Sequence, residues 1–254
     1  MTGSDIVAIV GAAAWIPQIV QWIYRALRKP KLELISAPRL IVGYTSNGPF
    51  LQLTASVSSQ NEDVIITKMN ISVRHQSGEE RWLLWSSVTE SLANFQIPTG
   101  ESMGMNKPQS VLAIKASTET LSERHIAFAD LSFIAELQDK INVAREHFKY
   151  LSSEVNEPAE QVLHSKEFKE AQQFATQNIF WREGSYRLEL KIHGRRLKTP
   201  HQEVFKVNLT RQDMDEIQKN LDLVNQDLKT QVAGAPRTLV KWNFVNSFVI
   251  PLTE

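Results

Sequence analysis

Apolar and polar positions alternate through most of the first third of the chain. FLQLTASVS from Phe50 to Ser58 and VIITKMNISVRH from Val64 to His75 have the period of two that a strand with one buried face requires. KLELIS (Lys31 to Ser36) and RLIVGYTS (Arg39 to Ser46) precede them, with Asn47-Gly48-Pro49 as a turn, and Arg81 to Trp85 and Val111 to Ala116 add extended runs. Ser86 to Gln109, with Pro98, Gly100, Gly104 and Pro108, is expected to be a long surface excursion. The rhythm then changes: Ile126 to Val155 carries apolar residues at helical spacing, and a second helix is expected from Pro158 to Asn178. Strands return at Tyr186 to Gly194 and Glu203 to Thr210, Thr210 with Asp213 marks a helix start before Met214 to Gln231, and Thr238 to Ile250 is again extended. The pattern predicts an α+β fold: a β-sandwich-like domain over residues 31–254, with an immunoglobulin-like arrangement as one form. A helical hairpin is inserted at about 122–179, and an amphipathic helix comes late.

The first 30 residues differ in kind. Ile6 to Tyr24 reads IVAIVGAAAWIPQIVQWIY without a charge, with Asp5 before it and Arg25, Arg28, Lys29 and Lys31 after it. A run approaching the roughly 20 apolar residues that span hydrocarbon, with its cations on one side, predicts a transmembrane helix over residues 1–30. The positive flank then places the rest of the chain in the cytoplasm, as a single-pass protein of the inner membrane. Pro17, Gln18 and Gln21 keep a plain anchor and an interfacial or buried helix open as alternatives. At heptad spacing Val7, Gly11, Ala14, Gln18, Gln21 and Arg25 share one stripe of mainly small and polar side chains. Such a stripe predicts a homo-oligomeric bundle, with Gln18 and Gln21 lining a pore and Arg25 at its mouth.

Composition narrows the chemistry. Lysine and arginine number 28, aspartate and glutamate 28, so any electrostatic function must be local. The absence of cysteine excludes thiolate metal sites, iron–sulfur clusters and cysteine nucleophiles. No phosphate loop, nucleophile elbow, zinc-helix or dinucleotide fingerprint occurs; GESMGMNK from Gly100 to Lys107 has its glycines and lysine at the wrong spacing. Glu160, His164 and Glu167 share a helical face but lack further converging ligands, so neither a metal nor a cofactor is expected. One polar cluster stands out: Lys191, His193, Arg195, Arg196 and Lys198 crowd into a hairpin, where several cations suit an anion such as a nucleotide or short oligonucleotide. Lipid headgroups compete as the anion.

The order of parts, IVAIVGAAAWIPQIVQWIY, then RALRKPK, then a compact domain without catalytic motifs, resembles small membrane effectors of bacterial anti-phage systems such as the Hailong-type channel effectors. That resemblance implies an oligomeric membrane complex whose soluble domain controls membrane permeability; the Hailong-type effectors themselves respond to a nucleic-acid-like signal made by a partner nucleotidyltransferase. The function expected is therefore that of a non-enzymatic, ligand-gated membrane effector. The alternatives are a membrane-anchored adaptor that docks a protein on the sandwich edge or helical hairpin, and an enzyme whose site is assembled from distant residues.

Overall fold

The structure is a computed structural model that describes residues 15–20, 29–96, 102–109, 112–154, 158–234 and 240–252, with the side chains of 91–96 and 102–109 left aside. Residues 15–20 form α1. The strands are β1 (Lys31–Thr45), β2 (Gly48–Gln60), β3 (Val64–His75), β4 (Glu80–Gln96), β5 (Ser102–Gln109), β6 (Ile114–Ala116), β7 (Glu123–Ala129), β8 (Gly184–Gly194), β9 (His201–Leu209) and β10 (Phe244–Pro251). The helices are α2 (Leu131–Glu154), α3 (Pro158–His164), α4 (Lys166–Gln177), α5 (Arg211–Gln218) and α6 (Asn220–Ala233).

Eight strands close on themselves in the order β4-β7-β2-β1-β10-β9-β8-β3, because β3 pairs with β8 on one side and with β4 on the other. Every pairing is antiparallel. β5 lies on the far part of β4, and β6 on the start of β3. Alternate residues of each strand fill the interior: Leu51, Ile71, Phe128, Leu190 and Val207 are all at most 2 % exposed. β1 bends where Ser36, opposite Ala55, is followed by Leu40, opposite Leu53. Pro38 sits in that bulge, where its missing N–H breaks no ladder bond.

All five longer helices join strands at one end of the barrel, where β7 leads to α2, α4 leads to β8, and α5 with α6 bridges β9 and β10. Their apolar faces, among them Phe133, Ile141, Phe168 and Leu228, continue the barrel core. Asp130 starts α2: its carboxylate accepts from the N–H groups of Ser132 and Phe133 at 3.1 Å and pairs with Arg81 at 3.3 Å. Burial works to raise the Asp130 pKa, but these bonds outweigh it and hold the carboxyl below its ordinary range. Three side chains lock the helical layer to the end of β1. Trp181 donates Nε1–H to Gly43 O (2.7 Å), Tyr44 donates its hydroxyl to Ala175 O (2.5 Å), and fully buried Asn220 donates to Tyr44 O (2.9 Å) and Asn243 O (2.7 Å) while accepting from Asn243 N–H (2.8 Å).

This architecture corrects several expectations. The sheet is a closed barrel, neither sandwich-like nor immunoglobulin-like; alternation of period two is the same in both, and closure depends on one additional pairing between β3 and β4. The helical insertion begins at Leu131, since Ile126 to Ala129 belong to strand β7. Ser86 to Gln109 is no irregular excursion, because most of it forms β4 and β5. The helix expected from Pro158 divides at Ser165, whose hydroxyl caps α4 by accepting from Phe168 N–H at 3.2 Å.

The single-pass transmembrane helix and the inner-membrane placement built on it are corrected as well. Among the described residues no helix is long and apolar enough to cross a membrane. The described part of the N-terminal segment is α1, which contains Pro17 and Gln18. Both residues work against a spanning helix, one by removing a hydrogen bond and the other by its polarity. Val7, Gly11, Ala14, Gln21 and Arg25 lie outside the described residues, and Gln18 is exposed on α1. Asn220→Ala should lower unfolding free energy by about 3 kcal/mol, because it leaves several buried backbone groups unpaired at the barrel–helix junction. Urea denaturation checks this, and a change below about 1 kcal/mol would remove Asn220 as the junction's clamp.

Candidate anion-binding site

β8 is where the predicted basic cluster begins. Tyr186, Leu188, Leu190 and Ile192 point into the barrel, so Arg187, Glu189, Lys191 and His193 point outward. The register then brings together residues that are far apart in sequence. Arg74 of β3 stands opposite Arg187, and Arg187 stands opposite Lys206 of β9, giving three cations in one row across three neighbouring strands. Directly opposed like charges are unfavourable across a sheet unless counter-charges offset them. Glu80 lies 3.7 Å from Arg74, and Glu189 is engaged by Lys191 at 2.8 Å.

The three cations line a cleft of about 410 Å³, together with Gln76, Ser185 and Leu252. Its floor is built from backbone and amide contacts between the β3–β4 turn and the start of β8. Gln76 N–H donates to Ser185 O (2.9 Å), and Ser185 N–H donates to Gln76 Oε1 (3.1 Å). Gly184 has φ +132°, and a Cβ there would meet Gln76 Nε2 at 2.6 Å and His75 Nε2 at 2.8 Å, so the close approach requires glycine. His75 donates Nε2–H to Glu183 O (3.2 Å), which leaves Nδ1 to accept from Ser77. Beneath them, Tyr186 accepts from Arg182 N–H and donates to Arg182 O (3.0 Å), and burial pushes its phenol up to about 12.

The remaining members of the predicted cluster lie elsewhere. Lys191 extends over the exposed ring of Trp82, with Nζ 5.6 Å from its centroid, further along the same outer face. His193 is half-buried at the end of β8, and Arg195, Arg196 and Lys198 are exposed on the β8–β9 turn at the opposite end of the barrel from the helices. Arg196 forms an ion pair with Glu62. The structure therefore splits the cluster in two and joins its first half to Arg74, Arg187 and Lys206. These three were missed because only strand register makes them neighbours. The alternating charges of YRLELKIHG were the available signal for Arg187.

Charge is divided between parts of a chain that is neutral as a whole. The five helices α2 to α6 carry 12 carboxylates against 7 lysines and arginines. On the outer face of β3, β8 and β9, Arg74, Arg187, Lys191 and Lys206 lie beside Glu80 and Glu189. Among the described residues no group of three histidines, aspartates or glutamates is arranged to hold a metal. Glu160 and His164 instead line an open cleft with His147 beside α2 and α3.

Comparison with protein families, with curated proteins and with solved structures finds no match to this chain.

Tyr186 makes the floor of the cleft sensitive to alkali. Its folded pKa lies above the ordinary value of about 10, so its contribution is complete below pH 10 and is lost as pH rises through about 12. Tyr186→Phe should lower stability by about 1 kcal/mol at neutral pH and flatten the decline between pH 10 and 12. Urea midpoints measured across that range decide it, and an unchanged slope would exclude Tyr186 as the titrating group.

Proposed function

We propose that this chain is a non-catalytic binding module whose β3–β8–β9 face takes a phosphate-bearing ligand, a nucleotide or a short oligonucleotide. The observation that carries this reading is the Arg74–Arg187–Lys206 row. Strand register sets three cationic side chains side by side on one face, and guanidinium forks match phosphate oxygens in pairs. The cleft they line is concave and has a fixed polar floor. Trp82 and Lys191 on the same face offer a ring and a further cation to a base and a second phosphate. An effector of this kind works by binding, and copies associated through the N-terminal segment would repeat the basic face around an axis.

The test uses the full chain, ATP, and a fluorescent single-stranded hexanucleotide at 50 mM and 200 mM salt. Binding should weaken with salt, since each phosphate contact releases counterions. Arg187→Ala with Lys206→Ala should lose tenfold or more in affinity, whereas Lys166→Ala with Lys169→Ala on α4 should leave it unchanged. Absence of binding at low salt, or equal affinity in the face variant, overturns the assignment.

A further inference from the structure

The end of the barrel away from the helices carries a second cleft with a different make-up. It has a volume of about 560 Å³ and lies between the β2–β3 turn, β6 and the β8–β9 turn, lined by Asp63, Ile65, Ile114, Lys115, Arg195 and Arg196. Its place on β8 is seven residues from Arg187, roughly 23 Å along a strand, so it is separate from the cation row. One side is apolar: Ile65 is 42 % exposed, and Leu112, beside Ala113 in the cleft wall, is 83 % exposed. The other side is cationic.

The cations are held in different ways. Lys115 Nζ lies 2.6 Å from Asp63 Oδ2, and Asp63 Oδ1 accepts from Thr118 N–H at 2.9 Å, which ties β6 to the turn. Arg196 pairs with Glu62 across the gap. Arg195 has its backbone fixed by an N–H bond to Ile65 O at 2.8 Å, while its side chain is exposed and has no ion pair among the described residues. The backbone conformation points the same way. Arg196 sits at φ +73° and Asn61, in the facing turn, at φ +74°. Asparagine enters the left-handed region readily, but an arginine there is uncommon, and glycine would adopt the same turn without penalty. Left-handed residues of this kind concentrate at ligand clamps, where the side chain matters more than the backbone.

We propose that this cleft binds a single molecule of an amphiphilic anion, with a phosphate or carboxylate head on Arg195 and Arg196 and an apolar chain along Ile65 and Ile114. A bare phosphate would leave most of 560 Å³ unfilled, and a wholly apolar ligand would leave the Arg195 guanidinium without an acceptor. The head takes the arginine forks, and the chain covers Ile65, which water now meets.

Calorimetric titration of the full chain with octyl phosphate, inorganic phosphate and octanol tests this. Octyl phosphate should bind at least tenfold more tightly than either half-ligand. Arg195→Ala and Ile65→Ser should each lose tenfold or more. Arg196→Gly should lose binding while keeping its thermal midpoint at or above that of the parent, which separates a ligand contact from a structural role. The variant lacking Arg187 and Lys206 should bind octyl phosphate like the parent. Equal affinity for inorganic phosphate overturns the apolar half, equal affinity for octanol overturns the ionic half, and loss in the Arg187 and Lys206 variant places the ligand on the other face. Sedimentation with phosphatidylglycerol vesicles that Arg196→Gly abolishes, without binding of octyl phosphate, overturns the single-molecule ligand in favour of a bilayer one.

Discussion

Strand β3 has to pair with β8 and β4 at once, and the rest of the molecule follows from that double obligation. With it, eight strands have two neighbours each and the barrel has no free edge along β3. The interior is then a volume of fixed width that alternate side chains fill, so in-or-out placement is settled for every strand together. A slip of one residue in β8 would carry Arg187 and Lys191 into the core and Leu188 and Leu190 into water. The cation row on the outside is thus held by the apolar packing inside. Helices have no place within such a sheet, so they gather at one end, where Asn220, Trp181 and Tyr44 fasten them to β1. The outer face of β3, β8 and β9 is left open.

Most strands could be read in the sequence because their residues alternate, and the Thr210–Asp213 capping box announced α5 as clearly as the structure displays it. What could not be read was closure, since the pairing of Asn70 with Leu84 leaves no mark on either segment. Ile126 to Ala129 misled because four buried residues in succession fit a helix as well as a strand covered on both faces. Asp130, a cap residue immediately before the helix, was the signal that would have placed the boundary. At the N-terminus, hydropathy and the one-sided cations suggested a span, and Pro17 with Gln18 and Gln21 were the residues that argued against it.

The candidate sites show the same division. Lys191, His193, Arg195 and Arg196 were visible as one basic hairpin because they are close in sequence, yet folding distributes them along a strand and its turn. Arg74 and Lys206 joined the picture only through register. The left-handed backbone of Arg196 had no sequence signal, since the residue expected at such a turn position is glycine or asparagine. Spacing finds clusters that are local, while clusters assembled across strands need the sheet.

The helices carry more carboxylates than cations while one strand face is basic, so charge is unevenly spread over a chain that is neutral as a whole. Because the sequence pI is about 7, this unevenness, and not a net charge, sets the field around the molecule near neutral pH. The range of each local charge is the Debye length, roughly 30 Å at 10 mM salt and 8 Å at physiological ionic strength. An anion approaching the outer face of β3, β8 and β9 is therefore drawn in from several times further away in dilute buffer than at physiological salt, although the chain as a whole carries no net charge.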